Sequence, residues 1–337
     1  MLQTRPSRSK PKTNTVRIEW CGRYCSAADV AYDRLVGARI EDVSKRFPAL
    51  CPVDIAQLEP GTVCCHLEFA RSAHAAVSRH RIARQLHLCG TIGEGWCVIG
   101  FVRRRGPEPC AGEVTCGASG QSFDWLLRPG DEFFLVGLAQ RVFHRVSSPP
   151  SVSPYRKEYR RADPEMMEDT VGALSGLLSR AQVGRFAARS FEEVVLETVL
   201  EAQSRARQFG FGEDRAMALV ERAFRAAGEI RGCVRVSELC LALRVSPRSL
   251  LAAFTAVTGM GPHAYFMRQR LSKARHLLAS ARPRRETVTD VALSAGFTEL
   301  GRFAGRYRSF FGESPSQTLR RPAGKTACQR LHRSLSV

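Results

Sequence analysis

The sequence predicts a multidomain chain, with a β-rich amino-terminal domain followed by an all-α carboxy-terminal domain that holds two helix-turn-helix motifs. Three observations predict it. Between Val16 and Val146 short apolar runs recur, each bounded by glycine or proline turn signals, as short strands require. Ser147-Ser148-Pro149-Pro150-Ser151-Val152-Ser153-Pro154 then breaks the pattern, because three prolines and four serines continue neither a helix nor a sheet interior. Finally, the last third of the chain repeats a start–turn–stop helical pattern about fifty residues apart.

Residues 1–15 read as a disordered basic arm, with Arg5, Arg8, Lys10 and Lys12 among prolines and serines. In residues 16–146 the apolar runs are Cys64–Phe69, Trp96–Val102 and Phe133–Val136, punctuated at Pro60-Gly61, Gly93, Gly95, Gly106-Pro107 and Pro129-Gly130. Such spacing predicts a sandwich or cupin-like domain. Ala27 to Val43 has the pattern of an amphipathic helix, and His74, His80 and His87 fall in an arginine-rich stretch of helical appearance. Trp96, Phe101, Trp125 and Phe133 are expected in the core rather than lining a ligand pocket. Residues 147–212 read as a Pro/Ser linker with connecting helices over Met166–Leu178 and Phe191–Phe209, which dimerise the protein or bridge its domains.

Residues 213–321 form the predicted helical domain. Glu213 to Ala227 places Ala216, Leu219, Val220, Ala223 and Phe224 on one face. Ser237 is the expected cap of the next helix, whose apolar positions are Leu239, Leu241, Ala242 and Leu243. After a turn at Arg244 and Val245, Ser246-Pro247 is a strong helix start, and the helix over about 247–258 stops at Gly259. It buries Leu250, Ala253, Phe254 and Val257. A long helix over Pro262–Ser280 follows. In the second motif Thr289 is the expected cap, Gly296 makes the turn before Phe297, and a helix over about 298–310 buries Phe303, Tyr307 and Phe310. Residues 322–337 read as a flexible tail.

Composition narrows the function. The 337 residues carry a formal charge of +19 and a pI near 10.1, which calls for a polyanionic partner. Residues 231–320 hold fifteen Arg or Lys against five Asp or Glu, a net of +10. No run approaches the length of a transmembrane helix, and no apolar stretch of a signal peptide follows the amino terminus, so a cytoplasmic location without membrane association is expected. The twelve cysteines are then expected to be reduced.

At Ala242, Ser246, Leu250, Phe254, Gly259, Arg270-Leu271, Ala274 and Leu277-Leu278, then Val291-Ala292, Gly296-Phe297, Phe303, Phe310-Phe311-Gly312 and Pro315, the chain resembles the DNA-binding domain of the AraC family of transcription regulators. The run Leu300-Gly301-Arg302-Phe303-Ala304, with Pro315-Ser316 and Thr318-Leu319, is similar to the branch containing the ethanolamine-utilisation regulators. The resemblance implies two helix-turn-helix units joined by one long helix, with two recognition helices entering successive major grooves of promoter DNA. It also implies an activator that contacts RNA polymerase, a small-molecule effector of unknown identity at the amino-terminal domain, and a homodimer.

The expected DNA contacts are Arg248, Ser249, Leu251, Ala252 and Thr255 on the first recognition helix, and Leu300, Gly301, Arg302, Gly305 and Arg306 on the second. Leu251, Ala252, Leu300, Gly301 and Gly305 offer few groups that hydrogen-bond a base edge, leaving contact with thymine methyls and close backbone approach. Arg248, Arg302 and Arg306 are expected mainly as phosphate clamps.

Two other functions compete with this one. A zinc-dependent, methyl-accepting DNA-repair regulator of the adaptive-response type would use Cys21 and Cys25 as half of a four-cysteine site; its second C-x-x-C pair is missing, and Cys51 stands alone. A metal-dependent cupin-like enzyme would draw ligands from His66, His74, His80 or His87, without the clustered histidines and carboxylate such a site needs. Cys64-Cys65-His66 and Cys110 with Cys116 fit no common zinc spacing. No phosphate loop, nucleophile elbow or paired carboxylates appear, so neither catalysis, a metal nor a cofactor is expected.

Overall fold

A computed structural model describes residues 30–36, 53–61, 63, 65–104, 112–142, 158–184, 186–206, 215–230, 234–281 and 286–321. The basic arm, the Pro/Ser run 147–154, the tail 322–337, and Cys21, Cys25, Cys51, Cys64 and Cys110 lie outside these residues.

The amino-terminal part is β-rich. Its strands are β1 Ala31–Val36, β2 Val53–Gln57, β3 Cys65–Arg71, β4 Ala75–Ile82, β5 Leu86–Thr91, β6 Trp96–Arg103, β7 Gly112–Ala118, β8 Ser122–Leu127, β9 Glu132–Ala139 and β10 Glu158–Ala162. They pair as a seven-stranded sheet, β1-β3-β4-β9-β6-β7-β10, and a three-stranded sheet, β2-β5-β8, all antiparallel. Alternation along the strands builds two cores, because successive side chains point to opposite faces. Phe133 and Leu135 of β9 face the small sheet, against Leu86, Leu88, Phe123 and Trp125. Phe134, Val136 and Leu138 face the other way, where helices α1 Pro164–Gln182 and α2 Ala188–Ala206 cover the large sheet. β9 is therefore buried along its whole length. Trp125 and Phe133 lie in the core between the two sheets, with Trp96 packed partly buried against it, and Phe101 lies in the core under α1 and α2.

Two helical expectations give way to strands. Ala31–Val36 is β1, paired with β3 from Ala31↔Arg71 to Val36↔His66, although its sequence fits an amphipathic helix. His80 lies in β4 and His87 in β5, with His74 immediately before β4. The polar residues of β4 are accommodated by partners that a local pattern cannot reveal. Ser78 Oγ lies 2.8 Å from His80 Nε2, and Glu132 accepts from Arg79 Nε at 2.6 Å and Arg81 Nε at 3.0 Å. Burial pushes the His80 imidazole down to about 3, so it stays neutral inside the core. His74 Nδ1 sits 3.1 Å from Glu192 Oε1 of α2. Residues 158–206, expected to dimerise the protein or bridge its domains, add β10 to the large sheet beside β7 and cover that sheet with α1 and α2.

The carboxy-terminal part is all α: α3 Arg215–Glu229, α4 Val236–Leu243, α5 Pro247–Thr258, α6 Pro262–Ser280, α7 Val288–Ser294, α8 Leu300–Phe311 and α9 Pro315–Leu319. It holds two cores. The first joins Val220 and Ala223 of α3, Leu239 and Leu243 of α4, Leu250 and Phe254 of α5, and Tyr265 and Phe266 of α6. The second joins Leu271, Ala274 and Leu278 of α6 to Val291, Phe297, Phe303 and Tyr307. α6 belongs to both, and its 19 residues span roughly 28 Å at about 1.5 Å each. Among the described residues no single helix is long and apolar enough to cross a membrane.

Candidate nucleic-acid interface

The first candidate contact helix is set by local signals at both ends, the second by a glycine stop. The Ser246 hydroxyl accepts from the Ser249 backbone N–H at 3.0 Å, Pro247 opens α5, and Gly259 closes it at φ 71°. The chain turns through 103° between α4 and α5, within the range of a helix-turn-helix. Arg244 makes that turn in the left-handed region, at φ 54°. With Leu250, Ala253, Phe254 and Val257 buried, the 3.6-residue period leaves Arg248, Ser249, Leu251, Ala252 and Thr255 exposed on the other face. Leu251 is 51% exposed, an apolar side chain largely open to solvent on this face.

α8 repeats the arrangement. Phe303, Tyr307, Phe310 and Phe311 are buried and Gly312 ends the helix at φ 75°. Leu300, Gly301, Arg302, Gly305 and Arg306 are all exposed. Beyond its own helix, a Cβ placed on Gly301 or Gly305 would meet no atom of the described residues within 4 Å, so the helix backbone lies bare along this face. Arg302 Nη1 is 2.9 Å from Glu299 Oε2, and Arg306 Nη1 approaches the Met267 sulfur at 3.9 Å. Arg306 also borders an open cleft of about 330 Å³, which Pro60, His263, Met267, Arg268 and Phe310 line with it.

Three local expectations are corrected. Arg235, not Ser237, stands at the cap of α4, and its side chain makes no capping bond. Leu239, Cys240 and Leu243 are the buried positions of α4, whereas Leu241 is 79% exposed and Ala242 is exposed as well. One residue of phase separates the two readings, and only the position of α3 selects the face. The cap of α7 is Thr287, not Thr289. Its hydroxyl accepts from the Asp290 N–H at 3.2 Å while Asp290 Oδ2 accepts from the Thr287 N–H at 2.9 Å. Bonds from the Thr287 hydroxyl and then its N–H hold the Asp290 carboxyl below its ordinary range.

Several arginines of this domain serve the fold. Arg268 donates to the Leu58 carbonyl. Arg270 donates to the Gly296 carbonyl at 3.2 Å and lies over the Phe297 ring at 5.2 Å. Arg275, buried, is 3.1 Å from Glu313 Oε1, and Arg321 pairs with the same carboxylate. Burial alone would raise Glu313, yet Arg321 and Arg275 hold it below its ordinary range.

The residues that position both helices from outside have no signature in the sequence. The β2–β3 turn and the small sheet dock on this domain, and their bonds reach the last turns of both contact helices. Gln85 Nε2 donates to the Thr258 carbonyl at 2.9 Å and Arg128 to the Val257 carbonyl at 3.2 Å, both at the end of α5. The Gly61 N–H donates to the Phe310 carbonyl at 2.9 Å, at the end of α8. These carbonyls would otherwise be orphaned at the helix ends. Leu58, fully buried, enters the first helical core. Candidate metal donors gather at this seam, in His87, Cys89 and Asp124.

The helix-turn-helix domain family matches residues 239–321. The "XylDLEGF operon transcriptional activator 2" of Pseudomonas putida is 39% identical over 90 residues, which cover 27% of this chain and 57% of that protein. The "XylDLEGF operon transcriptional activator 1" of the same organism is 44% identical over 87 residues, 26% of this chain and 25% of that protein. The chain thus spans between a quarter and just over half the length of these relatives. The crystal structure of "a probable AraC family transcriptional regulator" from Rhodopseudomonas palustris is 35% identical, covering 32% of this chain and 99% of that one, with a TM-score of 0.28.

Proposed function

We propose, from the premise that residues 239–321 are a helix-turn-helix domain of the AraC type, that the whole chain is a DNA-binding transcriptional regulator and not an enzyme. The observation that carries the reading is the exposure of all ten candidate residues on two helices whose apolar faces are spent in separate cores. α6 runs through both cores, so the two units form one rigid reader. The excess of basic residues over 231–320 supplies the attraction to phosphates.

In this reading α5 and α8 enter successive major grooves of promoter DNA. Arg248, Arg302 and Arg306 clamp phosphates, Ser249 and Thr255 supply hydroxyls, Leu251, Ala252 and Leu300 meet thymine methyls, and Gly301 and Gly305 admit close backbone approach. The regulator activates transcription through RNA polymerase in the cytoplasm. Homodimerisation and control by a small-molecule effector at the β-rich domain belong to the same reading, as does kinship with the ethanolamine-utilisation branch. The seam between the two parts gives such control a physical route, since any ligand that favours one docking arrangement shifts the ends of both contact helices.

The test is genome-wide mapping of sites bound by the full chain, followed by affinity measurements on the recovered fragments. The expected result is a small set of promoter-proximal sites sharing a two-part motif. Binding that follows DNA length alone, without any preferred sequence, overturns it.

A further inference from the structure

We propose that His87, Cys89 and Asp124 form a transition-metal site of zinc type at the seam between the small sheet and the helical domain, closed over by Tyr265.

The site follows from strand geometry. In β5, Leu86 and Leu88 point into the sandwich core, so His87 and Cys89 point the other way, toward the helices. β8 pairs with β5 such that Asp124 lies directly across from Cys89 and Leu126 across from His87. The donor atoms of His87, Cys89 and Asp124 lie within 4.8 Å of one another. A tetrahedral zinc ion would draw such atoms to about 3.3–3.6 Å apart, given Zn–N near 2.0 Å and Zn–S near 2.3 Å. Small side-chain rotations cover that difference.

Two buried groups at this point want partners. The His87 side chain is 1% exposed; among the described residues neither ring nitrogen makes a hydrogen bond, and Nε2 faces Asp124 Oδ1 at ion-pair distance, 3.2 Å. The buried Tyr265 hydroxyl also has no hydrogen-bond partner among the described residues. Its ring is 5.7 Å from that of His87, and both rings pack on Phe224. Buried polar groups left without partners destabilise the fold, so a ligand that engages them is favoured.

Imidazole, thiolate and carboxylate together suit a borderline cation such as zinc and not calcium or magnesium, which take oxygen ligands. Three protein ligands leave a fourth position for the Tyr265 oxygen or a water. Cys89 and Asp124 are partly open to solvent, which provides entry. On binding, Cys89 gives its thiol proton to solvent and His87 coordinates as neutral imidazole, so no redox partner is needed. A search for C-x-x-C spacing passes over this group, because its ligands come from two strands.

The experiment titrates the full chain, stripped with chelator, with cobalt(II) and then zinc(II). One cobalt ion per chain is expected, with a thiolate-to-cobalt charge-transfer band in the near ultraviolet and the visible bands of a tetrahedral site, all displaced by zinc. Cys89→Ser abolishes the charge-transfer band and weakens binding by at least about tenfold. Asp124→Asn retains the band and weakens binding, and it decides the matter if the serine variant fails to fold. Cys97→Ser, buried on the face of the large sheet that meets α1 and α2, leaves band and affinity unchanged. A wild-type chain with no band, a band that survives Cys89→Ser, or an Asp124→Asn affinity equal to the wild type overturns the site.

Discussion

The hydroxyl of Ser272, midway along α6, holds both backbone groups of Gln57, 215 residues away: it accepts from the Gln57 N–H at 2.8 Å and donates to the Gln57 carbonyl at 3.1 Å. Gln57 ends β2, and its side-chain amide in turn donates to the Glu59 and Gly61 carbonyls, shaping the turn whose Gly61 N–H reaches Phe310. One buried serine thus couples the small sheet to the helix shared by both helix-turn-helix units.

Ser272→Ala strands a buried donor and a buried acceptor at once. The expected loss is about 1–3 kcal/mol, because the desolvation of both groups is no longer offset. Urea unfolding of the full chain measures it, and an unshifted midpoint would mean that the seam contributes nothing to stability.

The caps offer a sharper contrast. Ser246→Ala and Thr287→Ala each remove an observed capping bond and are expected to cost about 0.5–2 kcal/mol. Ser237→Ala and Thr289→Ala, at exposed positions inside the first turns, are expected to stay within about 0.5 kcal/mol of the wild type. Thermal denaturation followed by circular dichroism ranks the four; the opposite order would refute the assignment of caps.

On DNA, Arg302→Ala and Arg306→Ala are expected to weaken binding to all sequences alike. Each should flatten the log–log salt dependence by about one unit, as a lost phosphate contact does. Leu251→Ala should instead narrow the gap between preferred and unrelated sites. Fluorescence anisotropy across a salt series separates the two outcomes, and an arginine variant with unchanged affinity leaves the contact face.

Acid should act through His80. Burial holds the folded imidazole at about 3, while the unfolded chain takes up a proton near 6.5. Between these values the unfolded state binds more protons, so stability falls as pH drops, by up to about 1.4 kcal/mol per unit from this residue. Above pH 6.5 both states are neutral there and the effect vanishes. His80→Gln should flatten the pH profile of the urea midpoint in that window; an identical profile removes His80 as its source.

The helical domain was legible because its signals are local. Ser246-Pro247, Gly259, Gly296 and Gly312 act within one turn of the residues they govern, and the apolar stripes of α5, α6 and α8 follow a period of 3.6. The β-rich part was legible only as a class. Ala31–Val36 carries a pattern that either a helix or a strand can use, and the choice is made by pairing with Cys65–Arg71 some thirty residues on. In α4 a single residue of phase exposed Leu241 and buried Cys240, and the deciding neighbour, α3, is not adjacent in the helical turn.

What the sequence determined by itself is therefore the two-part architecture, both ends of α5 and the residues that face away from the cores of α5 and α8. Tertiary structure alone decided which strands pair, how β10, α1 and α2 complete the amino-terminal part, and how Gln57 meets Ser272 or His87 meets Asp124. The reason is physical. Caps and periodicity are energies between residues a few positions apart, whereas a seam between domains is made of polar groups whose partners exist only once both surfaces have formed.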